Sequence, residues 1–116
     1  RKQPVSLVSD QFGSPTYVGL LAKGLMLCAK GGPTGLFHLA CQGEASAEDW
    51  ISSAARILGL EVKYEQASRL DFSGPYRPIR SCLNSDKFAR TWGFRLPHWS
   101  EALLVAIQDC GQDWLA

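Results

Sequence analysis

Side chains that could do chemistry gather at two places in the sequence. The first is Asp10-Gln11, a carboxylate and an amide placed where an apolar run, Pro4-Val5-Ser6-Leu7-Val8, gives way to Gly13-Ser14-Pro15-Thr16. The second is residues 68–79, where apolar periodicity lapses into Arg69, Asp71, Gly74, Pro75, Tyr76, Arg77 and Pro78 before Arg80 restarts order. Loops of this kind carry function out of proportion to their length. A guanidinium on one can grip a phosphate through bidentate, charge-assisted bonds that an ammonium does not reproduce. Taken alone, the same pattern reads first as solvated or ion-paired surface arginines. Asp10 and Gln11 equally describe groups that hold a turn together.

Other chemistries find less support. Cys28, Cys41, Cys82 and Cys110 form no Cys-x-x-Cys, and only His38 and His98 are available to complete a metal set, so no zinc site is expected. The four cysteines read as buried free thiols in a reducing cytosol. His38, inside an apolar run, reads as a core histidine without a chemical role. A net charge of +1 with no Lys/Arg run argues against a nucleic-acid partner. The apolar stretch from Leu20 to Ala29 is broken by Lys23 and is too short to cross a bilayer, and Arg1-Lys2-Gln3 has no signal-peptide core behind it. The expectation is a cytoplasmic protein that meets no membrane. At 116 residues and 46% hydrophobic content, the chain suits one domain over residues 1–116.

The elements that must position the two places follow from periodicity and punctuation. Residues 5–9 are predicted as a strand, and Gly13, Pro15 and a Thr16 cap turn the chain sharply into a helix over 17–30. Val18, Leu21, Leu25 and Cys28 make that helix's inward stripe, and Gly19 and Gly24 suggest close packing on a sheet. Residues 36–40 are nearly all apolar and predict a strand covered on both faces. Ser46-Ala47-Glu48-Asp49 opens a helix over 47–58 with a capping-box pattern. Its buried face is Trp50, Ile51, Ala54, Ile57 and Leu58, and Gly59 stops it. Residues 61–65 alternate as a strand. Asn84 or Ser85 caps a short helix through Trp92, and a last helix over 99–110 faces inward through Leu103, Ile107 and Cys110.

Asp10-Gln11-Phe12-Gly13-Ser14-Pro15-Thr16 resembles the Asp-Gln-x-Gly-x-Pro-Thr signature of the dTDP-4-dehydrorhamnose reductases, which are extended short-chain dehydrogenase/reductases. The likeness continues in order through Gly35-Leu36-Phe37-His38-Leu39-Ala40, Arg77-Pro78, Leu83-Asn84-Ser85-Asp86-Lys87 and Leu96-Pro97-His98-Trp99. It covers nearly the whole chain. The family's glycine-rich nicotinamide motif and its Tyr-x-x-x-Lys pair are not found here: Tyr17, Tyr64 and Tyr76 have no lysine four residues on, and Gly31, Gly32 and Gly35 follow a predicted helix instead of a strand.

The resemblance therefore implies an α/β fold of mixed strands and helices, the C-terminal, substrate-binding portion of such a reductase without its Rossmann cofactor half. An Arg1 start without methionine fits a trimmed chain. The family likeness directs Arg77 at the pyrophosphate of a dTDP-sugar, with Arg80 and Arg69 as alternatives, and places Asp10 and Gln11 along the sugar or nucleotide side of the cleft. It implies no catalytic residue and no cofactor in this portion. The NADPH or NADH, the proton-donating Tyr and the missing N-terminal Rossmann portion belong to the full-length parent. It also makes Trp99, in Leu96-Pro97-His98-Trp99, an anchor of the last helix and places residues 36–40 at the edge of the parent's sheet, and an unpaired strand edge opens a route to a homo-oligomer. A non-catalytic binding or regulatory module of the same fold family is the alternative.

Overall fold

The computed structural model describes residues 5–110. In chain order its elements are β1 (Val5–Val8), α1 (Val18–Ala29), α2 (Ala47–Leu58), β2 (Tyr64–Ala67), a 3-10 turn (Arg69–Asp71), α3 (Asp86–Trp92) and α4 (Trp99–Cys110). The mixed α/β class expected from the sequence is what forms.

β1 and β2 make a two-stranded parallel sheet, with Val5 opposite Tyr64 and Val8 opposite Ala67. Parallel strands need a long crossover, and here the whole of α1, the following coil and α2 supply it. β2 begins three residues later than the alternation at 61–65 predicts. Leu60 and Glu61 lie instead in the exposed coil that leaves α2.

α2 matches its predicted bounds because both ends are written locally. The Ser46 hydroxyl accepts from the Asp49 N–H at 3.1 Å while the Asp49 carboxylate accepts from the Ser46 N–H at 2.9 Å. Gly59 then takes the left-handed conformation (φ 71°) that ends the helix. α2 packs against β1 on one side and α4 on the other. Its exposure differs from expectation, since Ala55 is buried whereas Trp50 and Ile57 are 39% and 41% exposed.

The core lies between α1, α4 and the segment after α3. Cys41, Leu96 and Ala102 are its buried centre, with Tyr17, Leu20, Leu21, Leu39, Phe94 and Trp99 packed around them. Trp99 acts as the expected anchor, and its indole N–H also donates to the Glu44 carbonyl at 3.0 Å. α4 turns inward through Ala102, Ala106 and Ile107. Cys41 alone among the cysteines is buried; Cys28, Cys82 and Cys110 are partly exposed. α1 buries only Gly24, where an added Cβ would run into Leu39 and Phe94. The close packing expected of this glycine is real, but against side chains and not a sheet. Val18 (71% exposed) and Leu25 (58%) point outward, contrary to the predicted stripe.

Three expectations fail outright. Residues 36–40 are not a strand: they run as coil, with Leu36 and His38 exposed. Among the described residues the run has no third strand to join, and neighbouring side chains take up part of its backbone. The Ser85 hydroxyl meets both the N–H and the carbonyl of Ala40, and Lys87 Nζ donates to the Leu36 carbonyl. Phe37 packs edge-on against Phe88 and Trp92 of α3. His38 is accordingly a surface residue and not a core histidine. Thr16, expected to cap α1, instead donates to the Ser14 carbonyl at 2.9 Å and accepts from the Cys41 N–H at 3.1 Å, bolting the corner to the coil. Tyr17 occupies the N-cap position without a capping side chain.

Candidate functional site

The end of β1 is where the two chemically promising stretches meet. The backbone past the strand forms short bridges on both sides. Phe12 N–H donates to the Ile79 carbonyl at 2.7 Å and Ser81 N–H to the Phe12 carbonyl at 2.9 Å, while Gly13 and Ala45 exchange both their bonds at 3.0 and 2.9 Å. These links hold the corner rigidly between the start of α2 and the end of the 72–79 loop.

Asp10 is consumed by the turn that follows β2. One carboxylate oxygen accepts from the Ser68 hydroxyl at 2.8 Å and the other from the Arg69 N–H at 2.7 Å. The Arg69 amide, and after it the Ser68 hydroxyl, hold the Asp10 carboxyl below its ordinary value of 3.8. Ser68 is itself the cap of the 3-10 turn, accepting from the Leu70 N–H, and its own N–H goes to the Asp71 carboxylate. The holding-together reading of Asp10 is therefore the one its contacts describe.

Gln11 stands on the ridge between two grooves. On one side lies a groove of about 470 Å³ with Phe12, Pro15 and Trp50. On the other lies a groove of about 640 Å³ lined by Val8, Gln11, Arg69, Leu70, Phe72, Ser73, Gly74, Pro75, Tyr76 and Arg77. The second brings Gln11, Arg69 and Arg77 to one concave surface. Phe72 and Tyr76, 57% and 82% exposed, add aromatic faces that the sequence reading did not single out. Their presence in a Gly-Pro loop, away from any apolar periodicity, was the available signal.

Arg80 goes elsewhere. Its Nε pairs with Glu44 Oε1 at 3.1 Å and its guanidinium lies over the Phe12 ring, 4.9 Å from the centroid. Among the described residues Arg77 makes no ion pair, so its five donors are open to a ligand.

The described residues hold no cluster of three metal-ligating side chains, and no helix is long and apolar enough to cross a membrane. The glycines after α1 do not form a dinucleotide fingerprint. Gly31, Gly32 and Gly35 follow the end of α1 and lead into coil, whereas a pyrophosphate cradle needs its glycines between a strand and a helix N-terminus.

Comparison with known proteins gives the family of the chain. The model of a family described as the RmlD substrate binding domain matches residues 1–111. A dTDP-4-dehydrorhamnose reductase of Sinorhizobium fredii is 34% identical over 110 residues, covering 84% of this chain and 37% of the relative. Among solved structures, a dTDP-4-dehydrorhamnose reductase ortholog from Clostridium acetobutylicum superposes with a TM-score of 0.80 at 29% identity, over 90% of this chain and 38% of its own. A reductase from Bacillus anthracis, solved in complex with NADP, gives a TM-score of 0.83 at 23% identity and shares the fold over 93% of this chain and 39% of its own. The chain thus spans well under half the length of the proteins it matches.

Proposed function

Because this chain belongs to the family of RmlD substrate binding domains, we propose that it holds the nucleotide sugar for an NAD(P)H-dependent dTDP-4-dehydrorhamnose reductase, which converts a dTDP-4-keto sugar to dTDP-rhamnose. The observation that carries this reading is the groove in which Gln11 and Arg77 face one cavity at the end of β1. Arg77 supplies a fork for the diphosphate, and Gln11 supplies an amide that can both donate to and accept from sugar or nucleotide hydroxyls. The chain's contribution to catalysis is orientation and charge neutralisation. Hydride donor and proton donor come from an N-terminal cofactor-binding portion that packs against this one. The apolar outer face of α1 supports such packing more directly than it supports a homo-oligomer built through strand edges.

Calorimetric titration of the chain with thymidine diphosphate and with dTDP-rhamnose tests the reading. Saturable binding of both is expected, with no oxidation of NADH or NADPH when a dTDP-4-keto sugar is added to the chain alone. Absence of binding removes the groove as the nucleotide-sugar site, and turnover above a protein-free control contradicts the division of labour.

A further inference from the structure

Gln11 and Arg77 are carried by different parts of the chain, and what sets their separation is neither the sheet nor the core. β2 ends at Ala67, the 72–79 loop contains no regular element, and every residue from Leu70 to Arg80 is exposed. The loop's entry is fixed at one place. Asp10, adjacent to Gln11, receives the Ser68 hydroxyl and the Arg69 amide across 58 and 59 residues of sequence. Ser68 and Asp71 then close the 3-10 turn on itself. The loop's exit is fixed separately, by the Phe12 bonds to Ile79 and Ser81. Residues 72–78 are therefore slung between two attachments that both lead back to residues 10–12.

We propose that Asp10 is a positioning residue that never touches the ligand: by pinning the 3-10 turn to the segment after β1 that bears Gln11, it holds Arg77 across the groove from Gln11. The proposal rests on the reading of this groove as the diphosphate site. The chemistry favours an indirect role. Both carboxylate oxygens are engaged by the turn, and a carboxylate turned towards a diphosphate would repel it. A backbone amide at 2.7 Å and a hydroxyl at 2.8 Å instead give each carboxylate oxygen a charge-assisted hydrogen bond.

The test has two arms, each run on the wild type, Asp10→Ala, Asp10→Asn and Ser68→Ala. In the first, hydrogen exchange by NMR follows the Arg69 and Leu70 amides and limited chymotrypsin cleavage follows the exposed Phe72–Ser73 bond of the loop. Asp10→Ala should speed exchange at both amides and cleavage after Phe72 at least tenfold, with amides of α2 unchanged, and Asp10→Asn, which keeps one acceptor, should fall between. Unchanged exchange at Arg69 overturns the proposal whatever the ligand does. In the second arm, thymidine diphosphate affinity is measured in a cycle with Arg77→Ala. A loss from Asp10→Ala that disappears in the Arg77→Ala background supports action through Arg77, whereas additive losses overturn it. A wild type that binds no thymidine diphosphate overturns the functional reading of the groove, and the exchange arm then decides Asp10 by itself.

Discussion

Arg77 and Arg80 carry the same guanidinium three residues apart, and their neighbours separate them. Arg80 is held by Glu44 and Phe12 at an exposed site, an arrangement worth less than about 1 kcal/mol. Arg80→Ala should therefore leave thymidine diphosphate affinity within about twofold. Arg77→Ala should lower it by about tenfold to over a hundredfold, the loss of roughly 1.5–3 kcal/mol expected of a charge-assisted bond, with Arg77→Lys recovering part. In a polypeptide joining this chain to a cofactor half, the same change should raise KM and leave kcat nearly unchanged. Equal effects of the two alanine variants in calorimetry would dissolve the distinction. Asp10 makes a pH prediction. Its folded pKa is depressed, so its stabilising contribution is complete above the ordinary 3.8 and is lost as pH falls through the folded value. Exchange at the Arg69 amide, corrected for its intrinsic pH dependence, should be flat from pH 5 to 8 and rise only in acid, and Asp10→Asn should abolish that acid limb. At this scale the sequence exposed Asp10, Gln11 and Arg77 as candidates through residue type and place. Residue type alone could not tell Arg77 from Arg80, because Glu44 and Phe12 come close only through folding; the family likeness put Arg77 first.

The elements that were legible are those whose signals are local. α2 carries its capping box and its αL glycine within fourteen residues, and its predicted bounds match. The segment at 36–40 was misread because an apolar run reports the demand for burial, not the strand that would meet it; the described sheet has two members and neither reaches it. Trp50 was misread for a related reason, since helical spacing cannot say which side of a helix is covered. Two glycines give an element-level contrast. Gly43 (φ 87°) joins that coil to α2, and a Cβ there would meet the His98 ring and approach Trp99 Cδ1 at 3.0 Å. Gly59 (φ 71°) has open space around it. Alanine at Gly59 pays only the left-handed backbone penalty, about 1–2 kcal/mol, while alanine at Gly43 adds overpacking of about 1–3 kcal/mol. Chemical denaturation should rank Gly43→Ala as the less stable variant, and the reverse order would mean that His98 and Trp99 move aside freely. Ser46→Ala should cost about 0.5–2 kcal/mol, since it removes one half of the capping box.

As a whole the molecule is thin and open. It measures 50 × 36 × 19 Å with a radius of gyration of 16.4 Å, against about 13 Å for a compact chain of this length. Its accessible surface is 8003 Å², some 1,800 Å² more than about 6,200 Å² expected for its mass. Part of the excess is the outer face of α1, where Val18, Ala22, Leu25, Met26 and Ala29 form an exposed apolar stripe opposite the inward Leu20, Gly24 and Leu27. A helix apolar on both faces is built to be covered on both. Leu25→Glu with Met26→Glu should therefore reduce binding of a hydrophobic dye to the chain while its unfolding midpoint holds, and undiminished dye fluorescence would place the sticky surface elsewhere. The sequence showed α1 as a helix but assigned Val18 and Leu25 to its inner side, because apolar residues all round leave no polar face to orient it. The parallel sheet has a consequence for synthesis. Val5 pairs with Tyr64, and Asp10 reaches Arg69 across 59 residues. At about 5–20 residues per second, β1 is made about 3–12 seconds before its partner. During that interval its backbone bonds to β2 are unmet, so the groove's first wall stands unfinished until the second half of the chain follows.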